Sequence, residues 1–532
     1  MTNSIPDLES SRCVFVIGSN TTETHPLIAA RVLRAKKRGG RLIVADPRNI
    51  QLARFADLHV RQKPGTDLAL TNGMIQAILS AGWENQDFIR ERTENIEGLK
   101  AKVAPYTPER VEEITGVKPA DLLRMAEWYA RAESAAIVYA MGITQHITGT
   151  DNVKSLANLA MLCGQMGREG TGVNPLRGQN NVQGACDLGC LPNVYTGYQR
   201  VDDPEIQKKF SAAWGVRLSP EPGLTLLEMM DRAEQGELKA LYIMGENPLL
   251  SDPDLHHVSA SLNKLELLVV QDIFPTETTA LAHIVLPGAS FAEKDGTFTN
   301  TERRVQRVRA AVPPPGEARP DWQTLAELLH RFGLPADYAG PEDIFREIAA
   351  LTPSYAGISY ARIESQGIPW PCPAPDHPGT PILHREKFSR GRGLFTGIDF
   401  VPPAESPDQE YPFLLSTGRS YFQYHTGSMS RRSPSLDGEV PEAYVEIHPR
   451  DAGRLGIQGG DWLLIRSRRG EIRIRARLTP VVEPGMVFVP FHFAEAAANL
   501  LTNPARDPVA KIPEYKVCAA QVEKAPAPKE EK

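Results

Sequence analysis

Cys13-Val-Phe-Val-Ile17, then Gly18-Ser19-Asn20, a helix-forming stretch, Arg41-Leu-Ile-Val-Ala45 and Asp46-Pro47-Arg48 together decide the fold of this 532-residue chain. The two apolar runs are short and rich in β-branched residues, the mark of strands buried on both faces. Between them, residues 25–38 carry helical spacing, with Leu27, Ala30, Val32 and Leu33 on the apolar side, and Gly39-Gly40 stops the helix. Strand, glycine turn, helix, strand and acid make a β-α-β unit. Gly18 lets the backbone approach a phosphate, the following helix offers its first amides to an anion, and Asp46 is placed to accept from a ribose hydroxyl.

A second unit of the same pattern follows. Leu241-Tyr-Ile-Met244 reads as a strand, Gly245-Glu246-Asn247-Pro248 as a turn, residues 253–262 as a helix, and residues 265–270 as a strand ending in Gln271-Asp272. Gly18 to Asp46 is 28 positions and Gly245 to Asp272 is 27, so the turn and the acid recur together. Any α/β protein repeats β-α-β units, but the shared Gly-x-Asn and Asp point to two related nucleotide sites. A further strand at 135–140 runs into Met141-Gly142-Ile143-Thr144-Gln145, with a helix over 152–165. Alternating elements predict doubly wound parallel sheets. Gly18-Ser-Asn is not Gly-x-Gly-x-x-Gly, which argues against a nicotinamide or flavin site.

Beyond residue 320 the pattern weakens. Helices are predicted at 322–332 and near 341–351, and the proline-dense stretch 367–378 reads as an extended linker. From Tyr411 the texture turns strand-rich. Residues 444–448, 462–467 and 471–479 are candidate strands, and Glu471-Ile-Arg-Ile-Arg-Ala-Arg-Leu alternates as a half-buried strand does. The expected divisions are 1–179 and 180–320 as two α/β dinucleotide-binding domains, 321–408 as a connecting segment, 409–523 as a β-barrel, and 524–532 as a disordered tail.

The bulk numbers narrow the function classes. A net charge of −6 gives no signal for nucleic acid. No apolar run approaches the ~20 residues of a spanning helix. The six cysteines lie too far apart for a disulfide framework, and Cys186-x-x-x-Cys190 has no second pair nearby to close a metal site. Reduced thiols suit a cytoplasmic protein.

The most informative stretch is Arg177-Gly-Gln-Asn-Asn-Val-Gln-Gly-Ala-Cys-Asp187. One cation amid carboxamides and glycines is either a solvated loop or a polar pocket in which Arg177 grips a small anion two-pronged, with Gln179 beside it. This segment resembles the active-site segment of the alpha subunits of molybdenum- or tungsten-dependent formate dehydrogenases. Residues 16–23, 45–48, 141–145, 245–248, 272–278 and 286–304 look like that family's cofactor-binding turns, and residues 416–499 like its molybdopterin dinucleotide-binding barrel, of double-psi type. The likeness covers nearly the whole chain.

The resemblance implies a bis-molybdopterin guanine dinucleotide cofactor carrying Mo or W, lined by Gly18, Asn20, Asp46, Arg48, Gln145, Gly245, Asn247, Asp272, Gly418, Arg419, His425 and Asn499. It implies Arg177 as the residue that orients formate, with Gln179 beside it, and oxidation of formate to CO2 with the electrons leaving through an iron–sulfur cluster. Partners implied are formate and an electron-transfer subunit of iron–sulfur or diaphorase type. His146 is either a packing or a functional histidine, and Arg303-Arg304 either a phosphate contact or a solvated pair.

The family's four-cysteine [4Fe–4S] site and its metal-side cysteine or selenocysteine, followed by histidine, have no counterpart in this sequence. The chain is therefore expected to start just downstream of that residue, with a selenocysteine codon read as stop as one origin and a sequenced fragment as another. Its partner would then be the N-terminal segment of its own polypeptide, and it would be inactive alone. Other classes sharing the scaffold are a bis-dinucleotide reductase of the assimilatory nitrate type and a non-catalytic structural homologue.

Overall fold

The strand runs that open the chain pair as predicted. In a computed structural model describing residues 1–527, β1 (Cys13–Ile17), β2 (Arg41–Ala45), β3 (Leu58–Val60), β4 (Ala135–Tyr139) and β5 (Gly172–Pro175) form one parallel sheet in the order β3-β2-β1-β4-β5. The order reverses at β1, which makes the carboxyl ends of β1 and β4 the place where such sheets bind ligands. Both faces are covered, because successive side chains alternate. Phe15 and Ile17 pack with Leu70, Met74, Leu122, Tyr129 and Leu159, from α2 (Asp67–Ala81), α3 (Pro119–Ala130) and α4 (Gly149–Leu162). Val14 and Val16 pack on the other side with Ile28 and Val32 of α1 (Pro26–Lys37). The helices start or stop within three residues of the sequence expectation, the spread usual for helix ends.

Two compact units are present. The first comprises Met1–Gly178, Leu250–His256 and Ile382–Lys532; the second comprises Gln179–Leu249 and His257–Pro381. In the second unit, α5 (Val182–Asp187) and α6 (Leu226–Glu234) precede β6 (Ala240–Met244), β7 (Leu267–Asp272) and β8 (Ile284–Pro287), a parallel sheet in the order β8-β7-β6. β7 starts two residues later than its apolar run and includes Gln271 and Asp272. Ile243, Leu268 and Val270 close on Met230, Val258 and Leu262. An antiparallel sheet follows, β9 (Gly296–Thr299), β10 (Arg304–Val308) and β11 (Ile368–Pro369), then α7 (Asp321–Arg331) and α8 (Pro341–Leu351). The proline-dense stretch is extended, yet it is packed rather than solvated. Ile368 pairs with Val305, and Ile368 and Cys372 join the core of Phe345, Tyr355 and Ile363.

The C-terminal part of the first unit is a closed barrel of six strands, β12 (Phe413–Gly418), β13 (Tyr444–Ile447), β14 (Trp462–Arg466), β15 (Glu471–Leu478), β16 (Met486–Pro490) and β17 (Cys518–Lys524), in the order β12-β16-β13-β15-β14-β17. Ile472, Ile474 and Ala476 of the alternating β15 point inward with Val445, Leu463 and Val487. Lys524, expected in the tail, ends β17 opposite Leu463; residues 528–532 of that tail lie outside the described residues. The fold is thus α/β with parallel sheets and a C-terminal β-barrel. Among the described residues no helix is long and apolar enough to cross a membrane, and all six cysteines are free thiols.

Candidate functional site

In the first unit the site begins at a crossing of two glycines. Gly18, at φ +57°, leaves β1 and donates its N–H to the Ala45 carbonyl at 3.0 Å; its own carbonyl accepts from Gly142 N–H at 3.1 Å. A Cβ on Gly18 would sit 2.8 Å from the Gly142 backbone, and one on Gly142 2.6 Å from the Gly18 oxygen, so neither position admits a side chain. The crossing brings the turn after β1, with Asn20 capping the short helix Thr21–Thr24, against the turn after β4, where Gln145 follows Met141–Thr144. Behind it, His146 is buried and donates from Nε2 to the Gly142 carbonyl at 2.8 Å.

Asp46 follows β2 directly. It is buried, it accepts from Arg48 N–H at 2.9 Å, and burial pushes its carboxyl up to about 6. Arg48 spans to the barrel: it bonds Glu446 of β13 at 2.8 Å and lies over the Phe488 ring of β16, 3.6 Å from its centre. The Cβ of any residue at 418 would meet that same ring at 2.7 Å, which is why β12 ends in Gly418. Next comes Arg419, then Lys516, whose ammonium donates to the Thr417 carbonyl at 2.7 Å. Enclosure, then Arg48 and Arg419, press Lys516 down to about 7, with Asp46 opposing them. Arg419 also faces the Tyr424 ring, and burial, then the charge of Arg419, presses His425 down to about 4. Three cations of like sign thus gather where the barrel meets the carboxyl end of β2.

Arg177 lies two residues past β5, and its backbone is held on both sides. His25 Nε2 donates to the Arg177 carbonyl at 2.7 Å, and Arg419 donates to the Gly178 carbonyl at 2.9 Å. Asn499, read from the sequence with the dinucleotide set, gives its amide to the Leu250 and Ser251 carbonyls at 2.9 and 3.0 Å, while its Oδ1 accepts from Thr502.

The second unit repeats the first turn. Gly245, at φ +62°, leaves β6 and donates to the Gln271 carbonyl at 2.8 Å, as Gly18 does to Ala45. Both acceptors immediately precede the strand-end aspartate. Asn247 is buried and organises its own loop: its amide bonds Glu277 at 2.7 Å and its Oδ1 accepts from the Thr278 hydroxyl at 2.7 Å. Asp272 is half-buried at the end of β7 and accepts from Ile273 N–H. Gln179 is exposed ahead of α5. Arg303 is buried at φ +68°; its guanidinium donates to the carbonyls of Trp370, Thr380 and Pro381, so it is not a solvated charge.

Sequence spacing did not single out Lys516, His25, Asp67 or Glu514. Asp67 opens α2, is buried, and is pushed up to about 6 by burial; Glu514 is pushed up to about 7 in the same way. Their carboxylates lie 4.0 Å from Nε2 and Nδ1 of His146.

Two family models cover most of the chain: molybdopterin oxidoreductase over residues 1–331, and the molydopterin dinucleotide binding domain over residues 413–519. The chain belongs to the molybdopterin oxidoreductase family. It is 51% identical over 528 residues to F420-dependent formate dehydrogenase 1 subunit alpha of Methanococcus maripaludis, spanning 98% of this chain and 78% of that protein. It is 41% identical to formate dehydrogenase H of Escherichia coli, over 98% of this chain and 74% of the other. Acetylene hydratase from Pelobacter acetylenicus shares the fold, with a TM-score of 0.78 at 19% identity over 98% of this chain and 81% of that one.

A molybdopterin oxidoreductase carries a phosphate-bearing molybdopterin dinucleotide with a metal, and the first unit suits such a group. Arg48, Arg419 and Lys516 crowd one another at a cost that an anion between them would relieve. Among the described residues, Arg48 Nε, Gln423 Nε2 and both ring nitrogens of His492 are buried with no hydrogen-bond partner.

Proposed function

We propose that this chain serves the oxidation of formate to CO2 on a bis-molybdopterin guanine dinucleotide cofactor, with Gly18, Asn20, Asp46, Arg48, Gln145, Gly418, Arg419 and His425 in one part of its cradle and Gly245, Asn247 and Asp272 in another. The observation that carries this reading is the fixing of Arg177. Its carbonyl is held by His25, and the next carbonyl by Arg419, one of the cations that suit the phosphates. A guanidinium on a fixed backbone binds a carboxylate two-pronged and orients it; the 51% identity to a formate dehydrogenase alpha subunit supplies the substrate class. Gln179 adds a neutral hydrogen bond. A bound Mo or W cofactor would supply the two-electron acceptor that formate oxidation to CO2 and a proton requires. Arg48, Lys516 and Arg419 would hold the dinucleotide phosphates, and Asp46 would accept from a ribose hydroxyl.

The reading includes a separate electron-transfer subunit as partner and a cytoplasmic location, where the six thiols would stay reduced; the widely spaced cysteines of this chain do not themselves fit an iron–sulfur cluster. The test is formate-dependent reduction of a viologen dye by the purified holoenzyme, with nitrate-dependent dye oxidation run beside it. Turnover with formate and none with nitrate supports the reading; nitrate turnover alone makes the chain a reductase of that scaffold. Cofactor-loaded protein inert to both would place it with the non-catalytic relatives.

A further inference from the structure

The carboxylate of Asp187, at the far end of the Arg177–Asp187 segment, is buried in the second unit and accepts from four side chains. Oδ1 takes the Gln183 amide at 2.6 Å and the Tyr198 hydroxyl at 2.8 Å. Oδ2 takes the Tyr355 hydroxyl at 2.8 Å and the Trp370 indole N–H at 2.6 Å. A carboxylate has about four lone-pair sites, and all are used. The donors come from α5 itself, the loop after it, the segment after α8, and β11's continuation. Trp370 also ties the anion to a cation, because its carbonyl accepts from Arg303, whose guanidinium lies 5.4 Å from the centre of its ring.

The other end of α5 is pinned as well. Asn181, at φ +59°, accepts on Oδ1 from the Thr299 N–H of β9 at 2.8 Å. A helix of six residues is too short to hold itself in water. These two anchors tie its ends to β9 and to the segments of Tyr198, Tyr355 and Trp370, and Gln179 and Asn180 stand directly ahead of it.

We propose that Asp187 is a positioning residue for the substrate carboxylate: through Gln183 and α5 it fixes Gln179 and Asn180 in the pose that binds the anion. This rests on the formate reading above. A merely packed core position would be served by an apolar side chain; a carboxylate saturated by donors from four segments sets an angle as well as filling space.

The test uses the loaded holoenzyme with Asp187→Asn, Tyr355→Phe, which keeps its ring and removes the hydroxyl donor, and Trp370→Phe, which keeps an aromatic side chain and removes the indole donor. Expected are a tenfold or greater rise in formate KM for Asp187→Asn, a three- to fivefold rise for each single-donor variant, kcat within threefold of wild type, and unchanged metal and nucleotide content. Amide hydrogen exchange over residues 179–187 should accelerate in the same order, whatever substrate is used. Unchanged exchange in all three folded variants overturns the proposal, as does faster exchange with formate KM unmoved. If exchange accelerates while wild type never oxidises formate, the anchor stands and the formate reading falls. Should Asp187→Asn fail to fold, the two single-donor variants decide by the same readouts, Tyr355→Phe being the one that preserves its ring.

Discussion

His146 Nδ1 lies 4.0 Å from the Glu514 carboxylate, inside the first unit, with no hydrogen-bond partner of its own among the described residues. On the other edge of the ring, Nε2 holds the Gly142 carbonyl and stands 4.0 Å from Asp67. A buried neutral ring between two protonatable carboxyls, with Lys516 within electrostatic reach, makes the glycine crossing sensitive to pH.

Burial holds His146 down to about 4, below its unfolded value of 6.5. The unfolded chain then binds the extra proton first, so this stability is present above pH 6.5 and lost as pH falls toward 4. Glu514 runs the other way. Pushed up to about 7 from 4.5, it contributes stability below pH 4.5 that is lost as pH rises through 7. Glu514→Gln, which mimics the protonated acid, is expected to gain on wild type by up to ~3 kcal/mol at pH 8 and by little at pH 4.5. Thermal melts of apo protein across that range check the sign.

Lys516 should act oppositely in the two loading states. Held near 7 against an unfolded 10.5, it penalises the apo protein below pH 7, and the penalty fades as pH rises toward 10.5. Lys516→Met is expected to raise the apo melting temperature at pH 6. In the holoenzyme it removes a charge facing phosphate, so dinucleotide retained after gel filtration should fall severalfold. Higher retention in the variant would remove Lys516 from the cradle.

Gly142→Ala places a Cβ 2.6 Å from the Gly18 oxygen, with backbone on both sides and nothing able to yield. A loss of at least ~2 kcal/mol is expected, of the size seen for overpacking. Gly453→Ala, in the helix Pro449–Arg454 with no atom within 4 Å, is the matched control and should be neutral or mildly stabilising. Denaturant midpoints of the two proteins measure the difference.

Arg177→Lys keeps the charge and discards the two-pronged geometry. Formate KM is expected to rise between ~10- and ~100-fold, the worth of a charged hydrogen bond. Cofactor content should hold, since His25 and Arg419 grip the backbone there and not the side chain. Steady-state kinetics with metal analysis checks both.

The two β-α-β units were legible because their signal is local. Gly18 and Gly245 each bond the carbonyl just before the strand-end aspartate, and a spacing of 27 or 28 residues carries that pattern in one window of sequence. Three of the six barrel strands, β13, β14 and β15, were legible for the same reason, as alternation in β15 shows, whereas β12, β16 and β17 were not read from the sequence. Lys516 left no such trace. Its partner Thr417 is 99 residues away, and Trp370 is 183 from Asp187. Closures of that length depend on how finished elements meet, which no period records. Asparagines were ambiguous in a different way: Asn247 and Asn499 make hydrogen bonds to their own chain, and composition does not separate that from a ligand contact.

The closing strand of the barrel is β17, and Lys516 stands two residues before it. Both come from residues hundreds of positions beyond the β1–β5 sheet, whose glycine crossing uses neither of them. A truncation ahead of residue 413 would therefore leave the crossing and Arg48 but remove Arg419, Lys516 and the Phe488 ring beneath Arg48. On the proposed reading, such a chain would lose much of its hold on the dinucleotide.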